Sequence, residues 1–203
     1  IATKKFDKEI TPVEISNKRG SIVIDTDEEP SRVAFDKLKK LRPVFKKEGS
    51  VTAGNASTIN DGAAACLIMS SRKAKELGLR PLASIEGHCS FSQSPEWFTT
   101  SPIYSTKKLL NQINMDINDI DLFEINEAFS VVTLAAIKDL ALDIDKVNIY
   151  GGAVSMGHPI GASGARIMCT LLNSMTKENK NYGVASICIG GGEASSMLVK
   201  RIS

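Results

Sequence analysis

The sequence predicts an α/β fold, a mixed β-sheet with helices covering both faces, and three observations carry that prediction. Short apolar runs at residues 82–86, 120–125, 147–150, 183–189 and 194–199 have the length of strands and lie against turn residues. Segments of helical period stand between them, opened by Ser101-Pro102, by Asn126 and by His158-Pro159. The chain has 203 residues, 42% of them hydrophobic, which is enough for a real core. Strands alternating with helices build a layered sheet with both faces covered.

Taken in order, residues 1–10 read as the end of a helix running into a strand. There is no initiator methionine, and we expect the chain to be part of something longer. Residues 10–15 and 21–25 have strand-like alternation around the turn Asn17-Lys18-Arg19-Gly20. Lys37, Lys39, Lys40, Arg42, Lys46 and Lys47 follow with no acid between the first and the last. Such a run is either a phosphate site or a solvated basic face. Residues 52–62 form a loop of small and polar side chains that lets backbone approach a ligand, although ordinary connections look similar. Residues 63–69 are apolar without alternation and predict a buried strand, with a buried helical turn as the alternative. Ser70 or Ser71 caps a short helix that runs through Leu77 and stops at Gly78.

The second half sets out helix, strand and helix again. A helix from Ser101 carries Leu109, Leu110 and Ile113, and one from Asn126 extends to about Leu142. Residues 151–166 are rich in glycine and hold one of only two histidines. Pro159, which lacks an N–H and has a fixed φ, predicts a helix start with His158 at the cap. Ile160, Ile167, Met168, Leu171, Leu172 and Met175 then share one face, while Gly161, Ser163, Gly164 and Ala165 keep the first turns thin.

Composition narrows the functional classes. A net charge of +2 supports neither a polyanion-coating protein nor an acidic tail. Four cysteines, at 66, 89, 169 and 188, form no C-x-x-C pair, so free thiols are expected, without a disulfide frame or a metal site. No signal-peptide pattern and no membrane-length apolar run occur, which predicts a soluble intracellular protein. Nucleic-acid binding is disfavoured, because no aromatic interleaving accompanies the basic run.

Ligands in sheets of this kind bind at loops that follow strand ends. Three such loops carry Asn126, His158 and Cys188, the last just before Gly190-Gly191-Gly192. Together they suit chemistry on a carbonyl, with an oxygen to stabilise and a proton to move. Alone, Asn126 reads as a helix cap, His158 as incidental to a turn and Cys188 as a core residue. No segment matches G-x-x-x-x-G-K-[ST] or G-x-G-x-x-G.

Asn126-Glu-Ala-Phe129, Gly157-His-Pro-Ile-Gly-Ala-Ser-Gly-Ala-Arg166 and Cys188-Ile-Gly-Gly-Gly192, in that order, resemble the thiolase family. Residues 41–45 and 52–57 match it too, so the likeness covers nearly the whole chain. The resemblance implies a thiolase-like layered fold: residues 1–59 as the end of a loop domain, 60–82 as the end of a first core domain, and 83–203 as the second. It implies acetyl-CoA acetyltransferase chemistry on acetyl-CoA, acetoacetyl-CoA and CoA, with no cofactor beyond these thioesters, in a homodimer or homotetramer. The expected compartment is the cytoplasm, with the mitochondrial matrix as the alternative. It also implies roles. His158 activates a nucleophilic cysteine and then bonds the thioester oxygen; Asn126 holds a water that completes that oxyanion hole. Cys188 moves the proton on the α-carbon, helped by a thiol pKa lowered beside histidine or a helix end. Gly190 offers its N–H to the acyl-enzyme. Ala56, Ser57, Phe45 and Phe129 line the pantetheine channel, and Phe98 stands near the acyl pocket where many relatives have methionine. The family's first half, with the nucleophilic cysteine, is absent from these residues. The rival reading is a non-catalytic CoA-binding subunit or paralogue.

Overall fold

The structure, a computed structural model, describes residues 1–202. The first ten residues make only hydrogen-bonded turns, among them Ile10 N–H to Phe6 O at 3.1 Å, where a helix end was expected. They dock by side chains: Phe6 is buried edge-on against Tyr150, and Lys5 pairs with Glu178 at 2.6 Å. Strands β1 (Val13–Asn17) and β2 (Gly20–Ile24) then form the expected hairpin. Asn17 Oδ1 accepts from Arg19 N–H at 2.8 Å, and Gly20 takes φ +129°, so the turn residues close it. Every residue of the hairpin is exposed.

Residues 63–69 depart from prediction. They form neither strand nor helix, and Leu67 and Ile68 are 83% and 70% exposed. A buried strand needs neighbours for its backbone N–H and C=O groups, and none of the described residues pairs with this run. Helix α1 (Ser71–Glu76) follows as expected, with Ser70 Oγ accepting from Lys73 N–H and Gly78 at φ +65° after its end.

The remaining chain builds the layered domain. Its elements are β3 (Ala83–Ser92), α2 (Ser101–Ile113), β4 (Leu122–Ile125), α3 (Ser130–Asp139), α4 (Ala153–Met156), α5 (Ser163–Lys177), β5 (Tyr182–Ile189) and β6 (Glu193–Arg201). The sheet order is β3-β6-β5-β4; only the β4–β5 pair is parallel, so the sheet is mixed. Pro102 opens α2 in its first turn and Asn114 ends it in the left-handed conformation.

Strand side chains alternate between two cores. On one face Phe123, Ile125, Val184, Cys188 and Leu198 pack with Ile103, Leu109 and Leu110 of α2 and Val132 of α3. On the other, Leu122, Ala185 and Val199 meet Ile167, Leu171 and Met175 of α5. Burying such side chains contributes roughly 1.5–3 kcal/mol each. Helices therefore cover both faces, as the alternation of runs predicted.

Three boundaries differ from the prediction. The 147–150 run is not a strand: Val147 makes one bridge to Phe123, and Asn148 turns left-handed at φ +47°. Asn126 does not cap α3, which starts four residues later behind Phe129. His158 does not cap α5 either, because Pro159 to Ala162 first form a turn closed on Pro159 O. Ile160, assigned to the buried face, is 67% exposed, and a Cβ at Gly161 or Gly164 would meet open space.

Candidate active site

The loop at 52–62 holds two other loops in register. Asn55 O accepts from Ser130 N–H at 2.9 Å, and Ala56 bridges to Phe129. Ser57 donates through both N–H and Oγ to Ala128 O, at 3.2 and 3.0 Å. Ile59 bridges to His158, whose N–H donates to Thr58 O at 2.9 Å and to Asn60 Oδ1 at 3.2 Å. Gly157 must be glycine here: its φ is +92°, and a Cβ would overlap the Asn60 amide.

Asn126 sits just beyond β4, fully buried, with its N–H donating to Ser186 O on β5 at 2.9 Å. Its Nδ2 lies 3.4 Å from His158 Nε2, and its buried Oδ1 meets no donor from the protein. The imidazole's other nitrogen meets a serine. Ser163 Oγ lies 2.6 Å from His158 Nδ1 and 3.0 Å from Pro159 O, and its single hydrogen serves one of the two. With that hydrogen on Pro159 O, Nδ1 is the donor and Nε2 presents a lone pair toward Asn126. Burial, with the Arg166 charge adding, lowers the His158 pKa and favours this neutral form.

Cys188 stands at the end of β5, on the same face as Ser186 and 8% exposed. Burial pushes its thiol up to about 11. The expected lowering beside histidine does not occur, because among the described residues no hydrogen bond joins Cys188 to His158 or Asn126. Asparagine and histidine are thus brought together, while the cysteine occupies the neighbouring strand end. Gly190 is exposed with open space around it, free to face a ligand. Phe129 has Phe45 and Phe98 edge-on at 6.0 and 6.1 Å, so three of the predicted lining residues form one aromatic cluster. Phe45 remains 72% exposed. A groove of about 410 Å³ runs beside His158, between Asn60–Ala64 and Pro159–Ala165.

Four residues that sequence reasoning passed over hold this arrangement. Asn148 grips β4 by accepting from Ile125 N–H at 2.8 Å and donating to Ile125 O at 2.9 Å. Its Nδ2 also donates to Glu127 Oε1 at 2.8 Å, while Val154 N–H donates to Glu127 Oε2 at 3.1 Å. Glu127 so ties the Asn126 turn to the loop leading to His158, and a Cβ at Gly152 would overlap its carboxylate. Ser163 and Asn60, described above, are the other two. The only signal for Asn148 was its residue type, since asparagine tolerates the left-handed conformation. On β4, Glu124 is 2% exposed, 3.9 Å from Arg166. Burial drives its pKa to about 8, with the Arg166 charge opposing that rise.

The family models match along the chain: the N-terminal domain of thiolase over residues 1–72 and its C-terminal domain over residues 79–201. The chain belongs to the thiolase family. It is 51% identical over 203 residues to an acetyl-CoA acetyltransferase of Schizosaccharomyces pombe, covering 99% of this chain and 51% of that protein. Among solved structures, the acetyl-CoA acetyltransferase of Bacillus anthracis superposes with a TM-score of 0.95 at 41% identity, over 99% of this chain and 51% of the other. The Acat5 thiolase of Ascaris suum, solved in complex with coenzyme A, gives 0.92 at 46% identity with the same shares. The thiolase-like layered α/β fold is thereby established, and the chain spans about half the length of these relatives.

Proposed function

We propose that this thiolase chain supplies the proton-transfer and oxyanion-hole half of an acetyl-CoA acetyltransferase, acting on acetoacetyl-CoA, acetyl-CoA and CoA. The observation that carries this reading is the juxtaposition at the strand end: buried Asn126 Nδ2 lies 3.4 Å from His158 Nε2, while Ser163 holds the ring's other nitrogen at 2.6 Å. In thiolysis, His158 Nε2 takes the proton of a cysteine thiol supplied by residues outside this chain. That thiolate attacks the 3-keto carbon of acetoacetyl-CoA. The carbon–carbon bond breaks, leaving an acetyl group on the nucleophile and the enolate of acetyl-CoA. Nε2, now carrying a hydrogen, and a water held by Asn126 donate to the thioester oxygen, and donors of this kind are worth ~100- to 1000-fold in rate.

The Cys188 thiol, protonated at neutral pH, then gives its proton to the enolate carbon. The CoA thiol gives its proton to the Cys188 thiolate and attacks the acetyl group; the nucleophile's thiolate leaves and recovers its proton from His158 Nε2, and the second acetyl-CoA departs. Gly190 N–H serves the acyl-enzyme oxygen. Ala56, Ser57, Phe45, Phe129 and Phe98 line the path of the pantetheine. Residues 1–59 correspond to the end of the loop domain, 60–82 to the end of the first core domain and 83–203 to the second core domain. The chemistry calls on CoA thioesters alone, with no metal or redox group. We place the complete enzyme, a homodimer or homotetramer, in the cytoplasm or the mitochondrial matrix. No helix of the described residues is long and apolar enough to cross a membrane.

A second reading, a CoA-binding subunit without catalysis, is favoured by one observation. The two cysteines that are not buried, Cys66 and Cys169, contact each other and not His158. The test separates the two readings. Residues 1–203 alone should show no cleavage of acetoacetyl-CoA, followed as loss of its enolate absorbance. Combined with the N-terminal half of a relative, they should turn over. In that complex Cys188→Ala should block carbon–carbon bond formation yet still allow acetylation of the nucleophile, whereas His158→Ala should slow acetylation itself. Turnover by this chain alone would overturn the split site, and no turnover in the complex would favour the binding subunit.

A further inference from the structure

Cys66 and Cys169 are 103 residues apart in sequence, yet their sulfurs lie 3.6 Å apart. Cys66 sits in the exposed irregular run 63–69, and Cys169 on α5, where its Sγ also approaches Ala65 O at 3.8 Å. We propose that Cys66 and Cys169 are an oxidisable pair that closes a disulfide between the 63–69 run and α5 when the chain meets a hydroperoxide. The inference stands on these contacts and does not depend on the function proposed above.

The four thiols differ in access. Cys89 and Cys188 are buried at 5% and 8% exposure, Cys169 is half-buried, and Cys66 is exposed. Burial and the neighbouring Cys66 push the Cys169 thiol up to about 11, so it does not compete as the first nucleophile. Cys66 therefore reacts first. Its thiolate attacks one peroxide oxygen, giving a sulfenic acid and releasing the other oxygen as water or alkoxide. The Cys169 sulfur then attacks the Cys66 sulfur, the S–S bond forms, and the sulfenic oxygen leaves as water with the two remaining protons. Two thiols lose two electrons and the peroxide gains them. Among the described residues, no ladder hydrogen bond holds residues 63–69 against closure on the Cys66 side.

The position of the pair gives the bond a consequence. Thr58 O and Asn60 Oδ1, six to eight residues before Cys66, accept the His158 N–H. Cys169 lies on the helix that begins at Ser163, the partner of His158 Nδ1. A disulfide would join the two supports of the histidine loop covalently.

The test uses the 203-residue chain and hydrogen peroxide as the probe. Trypsin puts each cysteine on its own peptide, residues 48–72 for Cys66 and 167–177 for Cys169. After mild oxidation, alkylation and non-reducing digestion, mass spectrometry should find these two peptides joined as the main oxidised product. Dithiothreitol should release them. Cys169→Ser should convert the product to a Cys66 sulfenic acid, trapped by dimedone, and to dimers linked through Cys66. The proposal is overturned if wild-type chain forms Cys66–Cys66 dimers as readily as Cys169→Ser. It also falls if Cys89 or Cys188 is oxidised first, or if Cys66 is consumed with no linked peptide.

Discussion

Removing the Glu127 carboxylate should loosen the whole site, and the size of the effect follows from its two bonds. Both partners, Asn148 Nδ2 and Val154 N–H, are donors, so only an acceptor on each oxygen satisfies them. Hydrogen bonds to a charged group contribute ~1.5–3 kcal/mol each. Asn148 keeps its bond to Ile125 O, and Val154 is only partly buried, so Glu127→Ala should cost about 2–4 kcal/mol rather than the full sum. Glu127→Gln can satisfy one donor but sets its own NH₂ against the other, so it should lose about half as much. Urea unfolding at neutral pH, followed by far-UV circular dichroism, measures both. The chain has only two histidines, which makes proton NMR of the rings a second readout. The His158 signals should shift in both variants while those of His88 stay in place. A loss below ~0.5 kcal/mol in Glu127→Ala, or an unmoved His158, would refute the claim that this carboxylate sets the site.

Three further outcomes are expected. Glu124 has a folded pKa raised from 4.5 to about 8, so the folded state holds a proton that the unfolded state loses. Its contribution is full below the unfolded value and is lost as pH rises through that window, with a slope of at most ~1.4 kcal/mol per pH unit. Urea midpoints across this range should fall, less steeply in Glu124→Gln; a flat wild-type profile would mean that Arg166 keeps the carboxylate ionised. Leu171→Ala, at a position with no exposure in the α5 core, should destabilise by about 2–5 kcal/mol in the same assay. Lys37, Lys39, Lys40, Arg42, Lys46 and Lys47 are all exposed; neutralising several should weaken CoA binding more at low salt than at high salt, measured by calorimetry. Equal loss at both salts would assign them no steering role.

The sequence by itself determined the layered α/β architecture, because alternating periods of two and near four commit each segment to a strand or a helix. It also determined the hairpin at residues 13–24, the Ser70 cap and the Pro102 start, since these depend on turn and cap chemistry within a few residues. The motifs around Asn126, His158 and Cys188 pointed to the site for a similar reason: their residue types stand at strand ends. Only the tertiary structure decided how those residues work. Asn126 and His158 looked like helix caps because asparagine and a residue before proline usually are. The loop at 52–62 and the Asn148–Glu127 bracket draw both away from the helix starts, through bonds between residues from 21 to 98 positions apart. Local pattern carries no information about partners at that separation. The thiol of Cys188 and the run at 63–69 make the same point from opposite sides. Burial sets the first pKa high, and the lack of a pairing strand leaves the second exposed, and both depend on what surrounds a residue rather than on its neighbours in sequence.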